Sequence, residues 1–196
     1  MSEEVKLAAS ERKFIKDAKE YLRWVLELGK VRGQVPLGAQ VDLIVGLLPG
    51  DEGFSGLVYS VKVKGTKGEV LNPIYEVRIP KSSIGLHDVI KHEGEHIFLG
   101  HPEKPGASGW TKEIGDYLSY LERELETDFS MRRANGRLDR LHEDIASYVT
   151  IGVDDFGYLP EDAWKSVVGV SRHLGIPYRY INKAKEFLSE EYGYDV

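Results

Sequence analysis

The chain has 196 residues, 41% of them hydrophobic and 30% charged, which is the balance of an ordinary globular protein with length enough to bury a core without staples. It contains no cysteine, which excludes disulfides and thiolate metal chemistry, so any metal must be held by imidazole and carboxylate. A formal charge of −6 argues against a global attraction to nucleic acid or anionic membrane, and no apolar run approaches the roughly 18 to 20 residues of a membrane span.

The first thirty residues carry mixed charge and no apolar stretch before a small-residue cleavage site, which predicts a soluble, cytoplasmic chain. Over about residues 10–28, Phe14, Ile15, Ala18, Tyr21, Leu22, Val25 and Leu28 recur at helical spacing, predicting an amphipathic helix ended by Gly29. Three strand-like runs follow, 41–48, 57–64 and 74–79, separated by turn-rich stretches at 49–53 and 65–68, and they read as a small meander. Pro73 and Pro80 bracket the third run, and proline cannot donate to a ladder, so this run is expected at a sheet edge. From Ser83 the pattern turns helical up to Gly100 and Pro102. A glycine- and proline-rich loop over 101–109 leads to a long helix, about 111–134, closed by Asn135-Gly136. Further helices are expected at about 137–151, 160–174 and 177–192.

Within the second helix, His92-Glu93-Gly94-Glu95-His96 has the H-E-x-x-H form. Spacing of i, i+4 sets both imidazoles one turn apart on one side, where they can share a zinc ion. Glu93 lies beside them, placed to take a proton from a water molecule whose pKa the metal lowers. The stripe Leu86, Ile90 and Ile97 is expected to face the core, with the histidines on its flank, lining a cleft.

A catalytic zinc usually takes three protein ligands and one water, so one more ligand is needed. His101 is the nearest in sequence, but its offset of five from His96 is one short of the longer histidine motif. The long helix offers Glu122, Glu124 and Glu126. Measured from Leu121 in its apolar arc, Asp128 falls at roughly −20° and Glu124 near −60°, whereas Glu126 stands about 140° away, toward solvent. Two carboxylates thus point inward, requiring either a metal or an ion pair with Arg123 or Arg132.

The pair of motifs, His92-Glu93-x-x-His96 and Glu124-x-x-Thr127-Asp128, resembles the gluzincin clan of zinc metallopeptidases. The gap of 27 residues between His96 and Glu124 is similar to that of compact cytosolic members such as the minigluzincins and the ImmA/IrrE-like peptidases. Thr127 departs from the alanine usual at that position. The resemblance covers about residues 41–133. It implies His92, His96 and Glu124 as zinc ligands, Glu93 as general base, and Asp128 as a carboxylate bonded to a ligand imidazole. It also implies a peptide or protein substrate aligned along Ile74–Ile79, touching Glu76, Val77 and Arg78 by strand addition. The expected fold is α+β and zincin-like. It comprises an N-terminal helix, a small twisted sheet with an edge strand, the active-site and glutamate helices, and a helical C-terminal part. The expected domains are a metallopeptidase domain at 1–135 and a helical extension at 136–196 packed on it.

Residues 170–185, within a unit at about 160–190, resemble a helix-turn-helix with Gly175 at the turn. Arg179, Lys183 and Lys185 are placed to meet phosphates, but Glu161, Asp162, Glu186 and Glu190 nearly balance them, and plain packing of two helices is the simpler expectation. His142-Glu143-Asp144 reads as surface, because consecutive helical residues point apart. The function expected is therefore zinc-dependent peptide hydrolysis. The alternative is a regulatory or DNA-associated protein whose metal is structural or serves one specific partner.

Overall fold

The computed structural model describes residues 8–46, 55–61, 72–103 and 114–196. The periodicity of the first segment produces helix α1 (Ala9–Val31), which buries Phe14, Ala18, Leu22, Val25 and Leu26 along one face. Gly29, expected as the stop, lies inside the helix. A Cβ on it would stand 2.8 Å from Val35 Cγ2, so its smallness serves close packing of the chain that follows. The helix ends instead at Gly33, whose φ of 72° is left-handed, with the Gln34 N–H reaching back to the Gly29 carbonyl at 3.0 Å.

The strands are β1 (Gln40–Val45), β2 (Leu57–Val61) and β3 (Ile74–Ile79), in spatial order β1-β3-β2. This corrects two expectations. The sheet is not a meander, since β3 runs parallel to β1 and antiparallel to β2. Nor is β3 an edge: Val77 is opposite Leu43 on one side and Val58 on the other. The prolines flank the six ladder residues without interrupting them, so every N–H from Ile74 to Ile79 remains a donor. Pro73 even joins the ladder as an acceptor, taking the Gln40 N–H on its carbonyl at 3.0 Å. The backbone at Glu76, Val77 and Arg78 is thereby committed to two neighbours, and the reason for seating a substrate strand there is gone. The parts of the expected strands at 47–48 and 62–64, the turns at 49–53 and 65–68, loop residues 104–109 and the helix start at 111–113 lie outside the described residues.

Alternation along β3 puts Tyr75, Val77 and Ile79, all fully buried, on the face that meets the helices. The other face carries Glu76 and Arg78, paired at 2.7 Å. Past a single 3-10 turn at Lys81–Ser83 and a left-handed Gly85, helix α2 (His87–Phe98) begins. It starts later than expected, so Leu86 sits at the cap and is 51% exposed rather than part of the apolar stripe. Ile90 and Ile97 do enter the core with Leu22, Leu26, Tyr75 and Val77. Each such burial stabilises by about 1.5–3 kcal/mol relative to exposure, which fixes α2 against α1 and the sheet. Gly94, midway through the motif, completes the seam: a Cβ there would stand 2.9 Å from a ring carbon of Tyr21 on α1.

These elements belong to one compact unit, Met1–Ser108, and a second unit spans Gly109–Val196. The second is all helical, with α3 (Ile114–Ala134), α4 (Leu141–Asp154), α5 (Pro160–His173) and α6 (Tyr178–Tyr192). Its core joins Tyr117, Leu121 and Leu125 of α3 to Ile145 and Val149 of α4, Val167 of α5, and Ile181, Ala184 and Leu188 of α6. Gly152 lets three helices meet, since a Cβ there would lie 2.5 Å from the Tyr117 hydroxyl and 3.0 Å from Ala163 Cβ. No helix among the described residues is long and apolar enough to cross a membrane.

Candidate metal centre

Helix α2 presents His92 and His96 one turn apart, and their Nε2 atoms converge to 3.1 Å. Two nitrogens bound to one tetrahedral zinc at about 2.0–2.1 Å stand roughly 3.3 Å apart, so this spacing fits a shared ion with only a slight opening. His96 is buried and His92 half-buried. Behind the pair, Nδ1 of His96 lies 2.8 Å from Nδ1 of His101, the rings meeting edge-on at 61°. His101 is 2% exposed and sits in the short 3-10 turn His101–Glu103 that follows α2. It therefore packs on the Nδ1 side of the His96 ring, away from the nitrogen that meets His92. The five-residue offset that disfavours it as a ligand is what carries it round the helix end to the far nitrogen.

Glu93 is 5% exposed. Its carboxylate rests against the backbone just before β2: a Cβ on Gly56 would come within 2.9 Å of Glu93 Oε1, 3.1 Å of its Cγ and 2.8 Å of Val89 Cγ1. Nothing in the sequence singled out Gly56, because its importance arises from a long-range approach that only folding creates.

Helix α3 carries Glu124 and Asp128 at i, i+4 on one face, both half-buried. The Tyr148 hydroxyl on α4 donates to Asp128 Oδ2 at 2.6 Å. Burial drives the Tyr148 phenol well above its ordinary pKa, and the negative charges of Asp128 and Glu124 add to the effect. Tyr120 is raised by the same causes, burial first and then Glu124 and Asp128. Both phenols stay protonated; Tyr148 donates to Asp128, and the Tyr120 ring packs edge-on against that of Tyr148. Tyr148 was not foreseen; the available signal was an aromatic with a polar tip on the apolar face of α4, which needs a buried acceptor.

The ion-pair alternative is partly resolved by Arg132, which grips Asp144 on α4 through two hydrogen bonds, one of 2.6 Å from Nη2 and one from Nε. Glu126, expected toward solvent, is half-buried, and Thr127 is fully buried. Helix α3 is thus covered over more of its circumference than its apolar arc indicates, and Glu122 is the exposed member, 3.8 Å from His173. His142, read as surface, is buried, its Nδ1 2.9 Å from the Asp139 carbonyl and its ring edge-on to Phe187.

Among the described residues, His92, His96 and Glu124 form a group able to hold a metal ion, each offering one ligand atom and these atoms lying within 4.8 Å of one another. Two imidazoles and a carboxylate are a donor set used by zinc and by other first-row divalent ions. Glu76, Val77 and Arg78 belong to the central strand described above, and no described feature ties them to the histidines. Comparison of the chain with models of protein families, with curated proteins and with solved structures found no match.

Proposed function

We propose that this protein is a cytoplasmic zinc metallopeptidase of the gluzincin kind, hydrolysing peptide bonds with Glu93 as general base. The observation that carries the reading is the convergence of the His92 and His96 Nε2 atoms at 3.1 Å with a Glu124 oxygen in the same group, next to a buried glutamate. In this reading His92, His96 and Glu124 hold the ion. Zinc supplies Lewis acidity there, toward a scissile carbonyl and toward water. Glu93 takes the proton of the attacking water on its carboxylate and passes it to the departing amine, so the base returns to its starting state after each turnover. His101 orients His96 from behind, and Asp128, bonded to Tyr148, supplies fixed negative charge near the ligand carboxylate. Substrate alignment moves from β3 to β2, a terminal strand of the three, whose approach at Gly56 passes the Glu93 carboxylate.

The test combines elemental analysis of purified protein with a protease assay on unfolded casein. The parent is expected to carry about one zinc per chain and to cleave casein. Glu93→Gln should keep the zinc and lose most turnover, while His96→Ala should purify largely metal-free. Zinc-free parent protein after incubation with excess zinc, or full activity in Glu93→Gln, would refute the proposal.

A further inference from the structure

We propose that α5, the turn after it and α6 form a helix-turn-helix that binds duplex DNA, with the first half of α6 in the major groove. This rests on α5 and α6 of the second unit and uses none of the groups assigned to the metal. Helix α5 ends at His173 and α6 begins at Tyr178, so the connection has four residues, the length of this motif's turn. Gly175 supplies the left-handed conformation, φ 71°, that the sharp change of direction needs. The Ile176 N–H closes the end of α5 on the Ser171 carbonyl at 2.9 Å. Helix α4 packs against both, as the first helix of such three-helix units does.

Burial then divides α6 into two faces. Tyr180, Ile181, Ala184 and Leu188 point into the core. Tyr178, Arg179, Asn182 and Lys183 are exposed, and they occupy the first two turns, the part of a recognition helix that reaches base edges. Their chemistry suits that role, because an asparagine amide can read adenine while arginine and lysine read guanine or hold phosphate.

Charge supplies the independent argument. The chain as a whole has 32 acidic residues against 26 lysines and arginines, yet between Asp162 and Glu186 it has Lys165, Arg172, Arg179, Lys183 and Lys185 and no acid. Lys165 is held by Asp162 at 3.2 Å and Glu122 stands 3.8 Å from His173, which leaves Arg172, Arg179, Lys183 and Lys185 as the exposed basic groups around the turn and the start of α6, a patch of the kind that faces phosphate. The arginines are also ordered in advance. The Arg172 guanidinium lies 5.2 Å over the Tyr178 ring, and that of Arg179 lies 4.7 Å over Tyr180 while donating to its hydroxyl at 2.9 Å. Side chains already held in place lose less freedom on binding. The acids resume at Glu186, Glu190 and Glu191, which limits DNA contact to the first half of α6.

Fluorescence anisotropy of the full-length protein with a labelled random-sequence duplex of about 20 base pairs tests this, over about 50 to 200 mM salt. Binding should weaken with salt. Arg179→Glu/Lys183→Glu should weaken it at least about tenfold and flatten the salt slope by about two, while Lys13→Glu on α1 leaves both unchanged. Glu186→Gln should strengthen it. Should the double variant fail to fold, Lys183→Gln and Asn182→Ala carry the same expectation at exposed positions. Three results overturn the proposal: no binding at about 50 mM salt, equal binding by the charge-reversed variants, or tighter binding to single-stranded DNA or RNA of the same length.

Discussion

His96 and His101 face each other through their Nδ1 atoms at 2.8 Å, both rings buried. One of the two nitrogens must carry the proton. When His96 uses Nε2 for a metal, its Nδ1 is the donor, and His101 must then accept on Nδ1 and keep its own proton on Nε2. Such a partner fixes both the tautomer and the orientation of a ligand ring. His101→Leu, which keeps bulk and removes the acceptor, is expected to lower zinc affinity by roughly 10- to 100-fold. His101→Asn, whose amide oxygen can accept, should recover much of that loss. Competition with a zinc-binding dye measures both, and equal affinities for parent and leucine variant would show that the pairing serves packing alone.

Gly56 supplies a second prediction. Gly56→Ala places a methyl 2.9 Å from the Glu93 carboxylate and 2.8 Å from Val89, and one of them must shift. Displacing a base by about 1 Å can cost on the order of 100-fold in rate. The variant should therefore retain zinc and KM while kcat falls, which steady-state kinetics on a peptide substrate would reveal. Val89→Ala in the Gly56→Ala background should restore part of kcat by giving the carboxylate room.

The carboxylates of α3 are separable. Glu124→Ala should reduce zinc affinity markedly and Asp128→Asn by roughly 10- to 100-fold, whereas Glu126→Ala should leave zinc in place. Tyr148→Phe removes the 2.6 Å donor from Asp128 and should cost about 1–3 kcal/mol of stability, read from urea midpoints. Zinc loss in Glu126→Ala with retention in Glu124→Ala would reassign the ligand.

The central position of β3 changes what Val77→Pro should do. A proline there removes a ladder donor and clashes within a strand paired on both sides, so the variant is expected to lose about 3 kcal/mol or more and to accumulate as insoluble protein. Soluble, cooperatively folding Val77→Pro would contradict the strand order. Glu76→Ala, on the opposite face, should change stability by less than about 1 kcal/mol.

Local information was legible and long-range information was not. The helices of the second unit follow from period and punctuation, and the turn of Asn135-Gly136 is where the residues demand it, with Gly136 at φ 66°. The histidine spacing on α2 is likewise local, since i, i+4 geometry needs only a helix. Strand order is different: the partners of β3 lie more than a dozen residues upstream, and flanking prolines constrain the ends of a strand without saying who sits beside it. Gly29 misled for a related reason. Inside a helix a glycine can mark a stop or a close approach, and only Val35, six residues on, decides between them. His101 shows the same limit, since its partner nitrogen is set by the way the chain turns after Gly100.

The close seam at Gly94 and Tyr21 has a thermodynamic consequence. Small zinc modules fold around their ion, so metal uptake in them carries the heat-capacity change of burying a core. Here the backbone between the two histidines is clamped from behind by α1, through contacts that owe nothing to a metal. Titration calorimetry of ion-free protein should accordingly show zinc uptake without the large heat-capacity change of core formation, because the two histidines stand on a core built without the ion.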